Sequence, residues 1–229
     1  MLIAEFRLGH LLQGDFATRI WTHFLQTREV PWRGGAVIAP LLELANHSAD
    51  GLQYERGMHL QVQGYVRQDI ALRYGAEDAY SVFCRFGVLE PRPAAFSLSG
   101  RVQLEDKEIV IGRNTEKSVK RGKHRVPKTG IDGNTLTLSY LLLGHRQVPR
   151  LARGIFGTLL GEAGVTNPDE VFDYILRSNA LKFIKLLKTL EPHEGEMVSM
   201  LRAMARHQLE SMNHCIGNRP LGLASVPLE

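Results

Sequence analysis

Two polar interruptions of apolar sequence carry the residues best suited to chemistry. The first is Asn46-His47-Ser48, which follows the run Pro40-Leu-Leu-Glu-Leu-Ala45; the second is Tyr74-Gly75, which follows Ile70-Ala-Leu-Arg73. Chain reversals of this kind bring polar side chains and backbone groups to a common point. A Tyr beside a Gly can project its hydroxyl into a narrow channel next to flexible backbone. A phenol titrates near pH ~10, so the hydroxyl is neutral at physiological pH and can accept a hydrogen bond from an incoming amine or direct its lone pair. Plainer readings stand beside these. Asn is a common turn residue, a His next to it often packs or lies at the surface, and a strand-end Tyr often keeps its tip in water.

These two stretches, followed by Arg85-Phe-Gly-Val-Leu-Glu-Pro91, resemble in order and type the Asn-His-Ser/Thr and Tyr-Gly/Asp motifs of the SET-domain protein methyltransferases. The match runs over residues 21 to 91. Within that family it is similar to the branch containing the plant Rubisco large-subunit lysine methyltransferase and the animal actin-histidine methyltransferase. The interval from Tyr74-Gly75 to Phe86-Gly87 is the one found in both, with no gap. The resemblance implies an S-adenosylmethionine-dependent protein methyltransferase, a protein-lysine N-methyltransferase before a histidine one. It implies that Asn46 and His47 hold the adenosine moiety, that Tyr74 is catalytic, and that Phe86 and Val88 line the substrate channel. Arg28, at the end of Trp21-Thr-His-Phe-Leu-Gln-Thr-Arg28, would meet the cofactor carboxylate, a pairing that suits a planar guanidinium fork. A helix C-terminal Arg that interacts with the macrodipole is the alternative there. Methyl transfer from a sulfonium is an in-line displacement at an activated carbon, so such a protein mainly aligns a neutral nucleophile and excludes water.

Three departures accompany the resemblance. The Rubisco enzyme has a second Tyr where this chain has Phe86, and an Asn common early in the following helix is replaced by Ala79; both changes remove polar contacts. In the family, strands with a Gly-x-Gly motif cradle the methionine end of the cofactor and precede the helix that ends at Arg28. Here twenty residues precede Trp21, and Gly34-Gly35 does not replace those strands. The expectations are a shortened form of a longer enzyme, a pocket wall supplied by another chain, or a catalytically inert SET-like module that binds a protein partner.

The elements that must position these residues are legible in outline. Asp15 can cap a helix carrying Phe16, Ile20, Trp21 and Phe24 and ending before Pro31. The apolar run 36–45 reads as a strand or buried turn that the turn formers Asn46-His-Ser-Ala-Asp-Gly51 break. His59-Leu-Gln-Val-Gln alternates as a strand and Ile70-Ala-Leu72 resumes as another. Residues 76–86 read as a short helix with Ala79, Val82, Phe83 and Phe86 on one stripe, stopped by Glu90-Pro-Arg-Pro93. Beyond, Phe96-Ser-Leu-Ser99, Val102-Gln-Leu104 and Glu108-Ile-Val-Ile111 predict strands, Leu136-Thr-Leu-Ser-Tyr140 leads into helical patterning, and helices dominate from Val148. Asn167-Pro168 predicts an N-cap and first helical position, heading a core stripe of Phe172, Ile175, Leu176, Leu181, Ile184 and Leu187. A last helix from Glu194 is predicted to bury Val198, Leu201, Ala205, Leu209 and Met212. The predicted fold class is α+β: a β-rich SET-like module over 1–93, followed by a mainly helical domain over 94–229 that resembles the family's substrate-docking domain in architecture alone.

Composition agrees with a packed chain. It has 229 residues, 44% hydrophobic, no run near the ~20 apolar residues of a membrane span, and no basic region ahead of apolar residues at its start. Cys84 and Cys215 form no metal or disulfide spacing, which points to a reducing cytoplasm and no metal site. The net charge of +4 is concentrated in a loop with Lys117, Lys120, Arg121, Lys123, Arg125 and Lys128. That loop is either a solvated hairpin tip or a dock for an acidic partner. No aromatic residue interleaves it, so nucleic acid is the less suitable ligand.

Overall fold

The computed structural model describes residues 15, 29–32, 35–38, 46–56, 60–62, 71–73, 77–87, 89–115, 117–121 and 124–213. The chain divides into two compact units, 1–77 with 81–90, and 78–80 with 91–229. The predicted helix of 16–28 lies outside the described residues. Among those described, strands and helices form a mixed α+β fold.

Among its described residues, the first unit has a hairpin of β1 (Glu29–Trp32) and β2 (Gly35–Ile38). Next come β3 (Asn46–Arg56), β4 (Leu60–Val62) and β5 (Ala71–Arg73), in the sheet order β4-β3-β5. The turn formers of 46–51 therefore do not end a strand but begin one. Both His47 and Leu52 register with Leu72, so the intervening residues are taken up in an irregularity, the usual way a strand absorbs Ser, Asp and Gly without losing its pairing. Helix α1 (Ala79–Phe86) closes this part of the chain. It starts three residues later than predicted and ends at Gly87, whose φ of +68° and N–H bond to Phe83 O (2.8 Å) form a left-handed stop. Ala79, Val82 and Phe83 are buried, as the stripe predicted; Phe86 is only partly so.

In the second unit, β6 (Ala94–Phe96), β7 (Gly100–Gln103) and β8 (Glu108–Ile111) match the predicted strands within a few residues. They are followed by the hairpin β9 (Ser118–Arg121) and β10 (His124–Pro127), then by β11 (Thr129–Asp132), β12 (Thr135–Leu138) and β13 (Leu142–His145). Residues 135–138 are thus strand rather than the approach to a helix. Their alternation explains why: Leu136 and Leu138 point inward and pair in parallel register with Ile109 and Ile111, all four buried. The sheet order is β11-β12-β8-β7, and β13 pairs separately with β6.

Three helices follow: α2 (Leu151–Glu162), α3 (Pro168–Leu190) and α4 (Glu196–Asn213). Helix α2 ends in a Schellman arrangement, with Gly164 at φ +68° and N–H bonds from Gly164 to Gly161 O (3.0 Å) and from Val165 to Leu160 O (2.9 Å). Asn167 precedes Pro168 as predicted. It has left-handed geometry (φ 54°, ψ 52°) and makes no side-chain cap, so Asn serves here for its tolerance of that conformation. The core face of α3 is Phe172, Ile175, Leu176, Ala180, Phe183, Leu186 and Leu190, not the stripe through Leu181, which is 58% exposed. Over 23 residues at 3.6 per turn, more than one apolar stripe can be drawn, and the buried one includes Asn179. This amide bonds Leu98 N–H through Oδ1 (2.8 Å) and donates to Ser97 Oγ (3.1 Å) and Ile175 O (2.9 Å).

Helix α4 is also rotated from expectation. It buries Met204, Ala205, Gln208, Ser211 and Met212, while Val198, Leu201 and Leu209 are half-buried. Its last turns pack on β13 so closely that a Cβ on Gly144 would overlap the backbone of Ser211, with Ser211 C at 2.8 Å and Met212 Cα at 3.0 Å. Backbone cannot swing aside as a side-chain tip can. Gly144→Ala should therefore cost about 3 kcal/mol or more and lower the melting temperature of the chain; a melt within a degree or so of wild type would show that α4 can shift freely on β13.

Candidate functional site

The residues singled out by sequence belong to the first unit, where β3 and β5 hold two of them in register. These strands run parallel, with Asn46 opposite Ala71 and His47 opposite Leu72. Strand β5 ends at Arg73, one residue before Tyr74. Asn46-His47 thus lies on the strand neighbouring the one that precedes Tyr74 in sequence. Arg28, Tyr74 and Val88 lie outside the described residues, and only the backbone of Asn46 and His47 is described. A carboxamide can both donate to and accept from a nucleobase edge, and a guanidinium can hold a carboxylate.

Phe86 has a more definite setting than an apolar channel wall. The Arg85 guanidinium sits over its ring at 5.2 Å, and Arg85 Nη1 reaches Glu77 Oε1 at 3.3 Å. Phe86 is thus a ring that carries a cation.

Sequence reading missed the ionic contacts of the second unit. Asp78, just ahead of α1 and fully buried, accepts from Phe96 N–H (2.9 Å) and from Arg113 Nη2 (2.8 Å). Arg113 also donates to Ser97 O (2.9 Å) and lies 4.6 Å over Tyr80, which meets Phe183 edge-on at 5.8 Å. His207 forms a second junction. Arg146 Nη2 donates to Nδ1 at 3.0 Å, and Nε2 sits against the Arg92 backbone, 2.9 Å from its N and 2.8 Å from its O. Arg146 is also paired with Glu210 (2.6 Å). His145, half-buried beside this junction, has its imidazole held below its ordinary value of 6.5 by burial, in keeping with Nδ1 accepting from Gln147 N–H (3.3 Å). The signal for Asp78 was an acid directly before an apolar helix stripe; nothing in sequence paired it with Arg113.

Among the described residues, no group of three or more His, Cys, Asp or Glu side chains is arranged to hold a metal ion, and no helix is long and apolar enough to cross a membrane. No protein-family model, curated protein or solved structure matches the chain.

The Asp78–Arg113 pair makes a testable case of buried charge. Asp78→Ala should cost about 3–5 kcal/mol, because it leaves a guanidinium in a place built for a pair. Asp78→Ala combined with Arg113→Met should recover part of that loss. Denaturant melts that find the two effects simply additive would show the side chains to be energetically independent.

Proposed function

We propose that this chain is an S-adenosylmethionine-dependent protein methyltransferase with a SET-like first unit, acting on lysine of a protein substrate in the cytoplasm. The observation that carries the reading is the parallel pairing of β3 with β5, which sets the strand that opens with Asn46-His47 beside the strand that leads into Tyr74. The order of the motifs in sequence and the interval to Phe86-Gly87 support it further.

On this reading Asn46 and His47 bind the adenosine end of the cofactor and Arg28 pairs with its carboxylate. The cofactor supplies a methyl group already activated by a sulfonium. The neutral hydroxyl of Tyr74 accepts a hydrogen bond from the amine and turns its lone pair toward the carbon, and Phe86 and Val88 exclude water from the acceptor. The amine must arrive unprotonated, and its remaining N–H, not a charged base, is what Tyr74 holds.

A second reading, an inert SET-like protein-interaction module, is favoured by one feature. Phe86 replaces a hydroxyl at the channel and takes the Arg85 cation on its ring.

Calorimetric titration with S-adenosylmethionine separates the two. Micromolar binding, about −8 kcal/mol, is expected, and Asn46→Ala should weaken it roughly tenfold by removing one amide's contacts. Tyr74→Phe should leave that affinity nearly unchanged while lowering turnover roughly 10²-fold or more, since it deletes a group that acts on the nucleophile. Absence of binding heat and of a thermal shift would select the inert module; full turnover in Tyr74→Phe would remove the phenol from the mechanism.

A further inference from the structure

The second unit carries an open groove of about 770 Å³ between α2 and the β9–β10 hairpin. Its floor is apolar. Leu151, Ile155 and Leu159 recur every four residues along one face of α2, and Val126 faces them from β10. Eight residues of rise make this stripe about 12 Å long, or two turns of helix. Apolar surface continues beyond the floor, because Val148 at one end is 43% exposed and Val119, the cross-strand partner of Val126, is 41% exposed. Val126 and Leu159 are buried at the bottom of the groove and Leu151 and Ile155 are half-buried, so the apolar surface left for a partner is that of Leu151, Ile155, Val148 and Val119.

The rim gives that partner a sign. Two of the ten lining residues are cations, Arg121 and Arg150, and none is an anion. Arg121 already holds a carboxylate of this chain, with Nη1 2.6 Å from Glu162 Oε1, and this hydrogen bond keeps the Glu162 carboxyl below its ordinary range. Arg150, exposed just ahead of α2, has no side-chain hydrogen bond or ion pair among the described residues. Lys120 and Arg125 pair across the other face of the hairpin, with Lys117 and Lys128 near its base. A two-stranded ribbon is thinner than the Debye length of ~8 Å, so these charges still add to the field over the groove.

We propose that this groove docks an acidic amphipathic helix of a protein partner. Its apolar side would lie on Val148, Leu151 and Ile155, with one carboxylate on Arg150 and another replacing Glu162 on Arg121. A helix fits better than an extended segment. A helix brings its own backbone hydrogen bonds satisfied and presents an apolar stripe that matches the two-turn face of α2. A basic helix would meet the same floor with like charges at both ends. The inference is independent of methyl transfer, since no residue of the first unit takes part in it.

The test uses the full chain and a labelled peptide of ~18 residues, long enough to form a helix, with Leu on one face and Glu on the other, against its counterpart with Lys in place of Glu. Fluorescence anisotropy should show the Glu peptide binding, weakening as salt rises from about 50 mM to about 300 mM, and the Lys peptide failing to bind. Arg150→Glu changes an exposed side chain with no described partner, and should lower the Glu-peptide affinity about tenfold or more. Thr158→Glu, on an exposed helical position in the groove, should do the same without altering the melt. Equal binding of both peptides, no binding of either, or unchanged affinity in Arg150→Glu would each overturn the proposal. So would a concentration-dependent dimer that Thr158→Glu dissolves, which would give the groove to a second copy of this chain.

Discussion

A carboxylate taken wholly out of water must find its charge and its hydrogen bonds in the fold, and in the second unit Asp78 finds both. One oxygen accepts from Phe96 N–H at the end of β6, the other from Arg113 just after β8. Arg113 spends its remaining capacity on Ser97 O and on the face of Tyr80, which in turn meets Phe183 of α3. One ionic contact therefore fixes the end of β6, the exit of β8 and a ring in the helical core. A buried pair of this kind gives little net stability over an apolar replacement. What it does is tie Asp78 and Arg113 to one arrangement of β6 and β8, the one in which Phe96 N–H and the guanidinium both reach the carboxylate. Asn179 acts similarly, its amide filled by the segment between β6 and β7 and by its own helix. The helices are thus docked on polar pins as well as on apolar area.

That arrangement explains which parts of the fold were legible in sequence. Strand β8 could be read from Glu108-Ile-Val-Ile111, because alternation and burial coincide there. The start of α3 could be read because Pro168 acts locally; the end of α1 reads from Pro91 and Pro93, whereas the left-handed Gly87 makes the actual stop. The faces of α3 and α4 could not. A periodicity argument counts Leu181, Val198, Leu201 and Leu209 as core and discards Asn179, Gln208 and Ser211, whereas the structure buries the polar three. Close packing on Gly144, not hydrophobicity, sets the rotation of α4, and a glycine in a strand gives no sign in sequence of what will lie on it. Residues 46–56 failed for the opposite reason. Their turn formers were read as a break, yet pairing on both sides with β4 and β5 is enough to hold a strand through them.

The candidate site was legible as a pair of motifs rather than as a pocket. Asn46-His47 and Tyr74 are separated by more than two dozen residues, and parallel pairing sets β3, which opens with the first motif, beside β5, which ends one residue before the second. Parallel pairing is non-local and leaves no hairpin signal, so composition and spacing alone do not reveal it. The setting of Phe86 was hidden too, because Arg85, its neighbour in sequence, reaches both the ring and Glu77.

A transferase that works by alignment needs few groups, and this has a consequence for where selectivity must reside. On the methyl-transfer reading, one phenol and a narrow apolar channel meet the acceptor amine, and any unprotonated lysine offers the same amine. Contacts that are equal for all lysines cannot discriminate between them, so the choice must be made by surfaces that touch the substrate elsewhere. The groove of the second unit has the properties such a surface requires: an apolar floor for affinity, and two arginines that reject the wrong sign of charge. If it engages the substrate itself, tethering raises the local concentration of one lysine without any change at the reacting atoms. The groove would then set which protein is bound while the first unit sets what is done to it, and substitutions in α2 would alter KM for a whole protein but leave turnover of a short lysine peptide untouched.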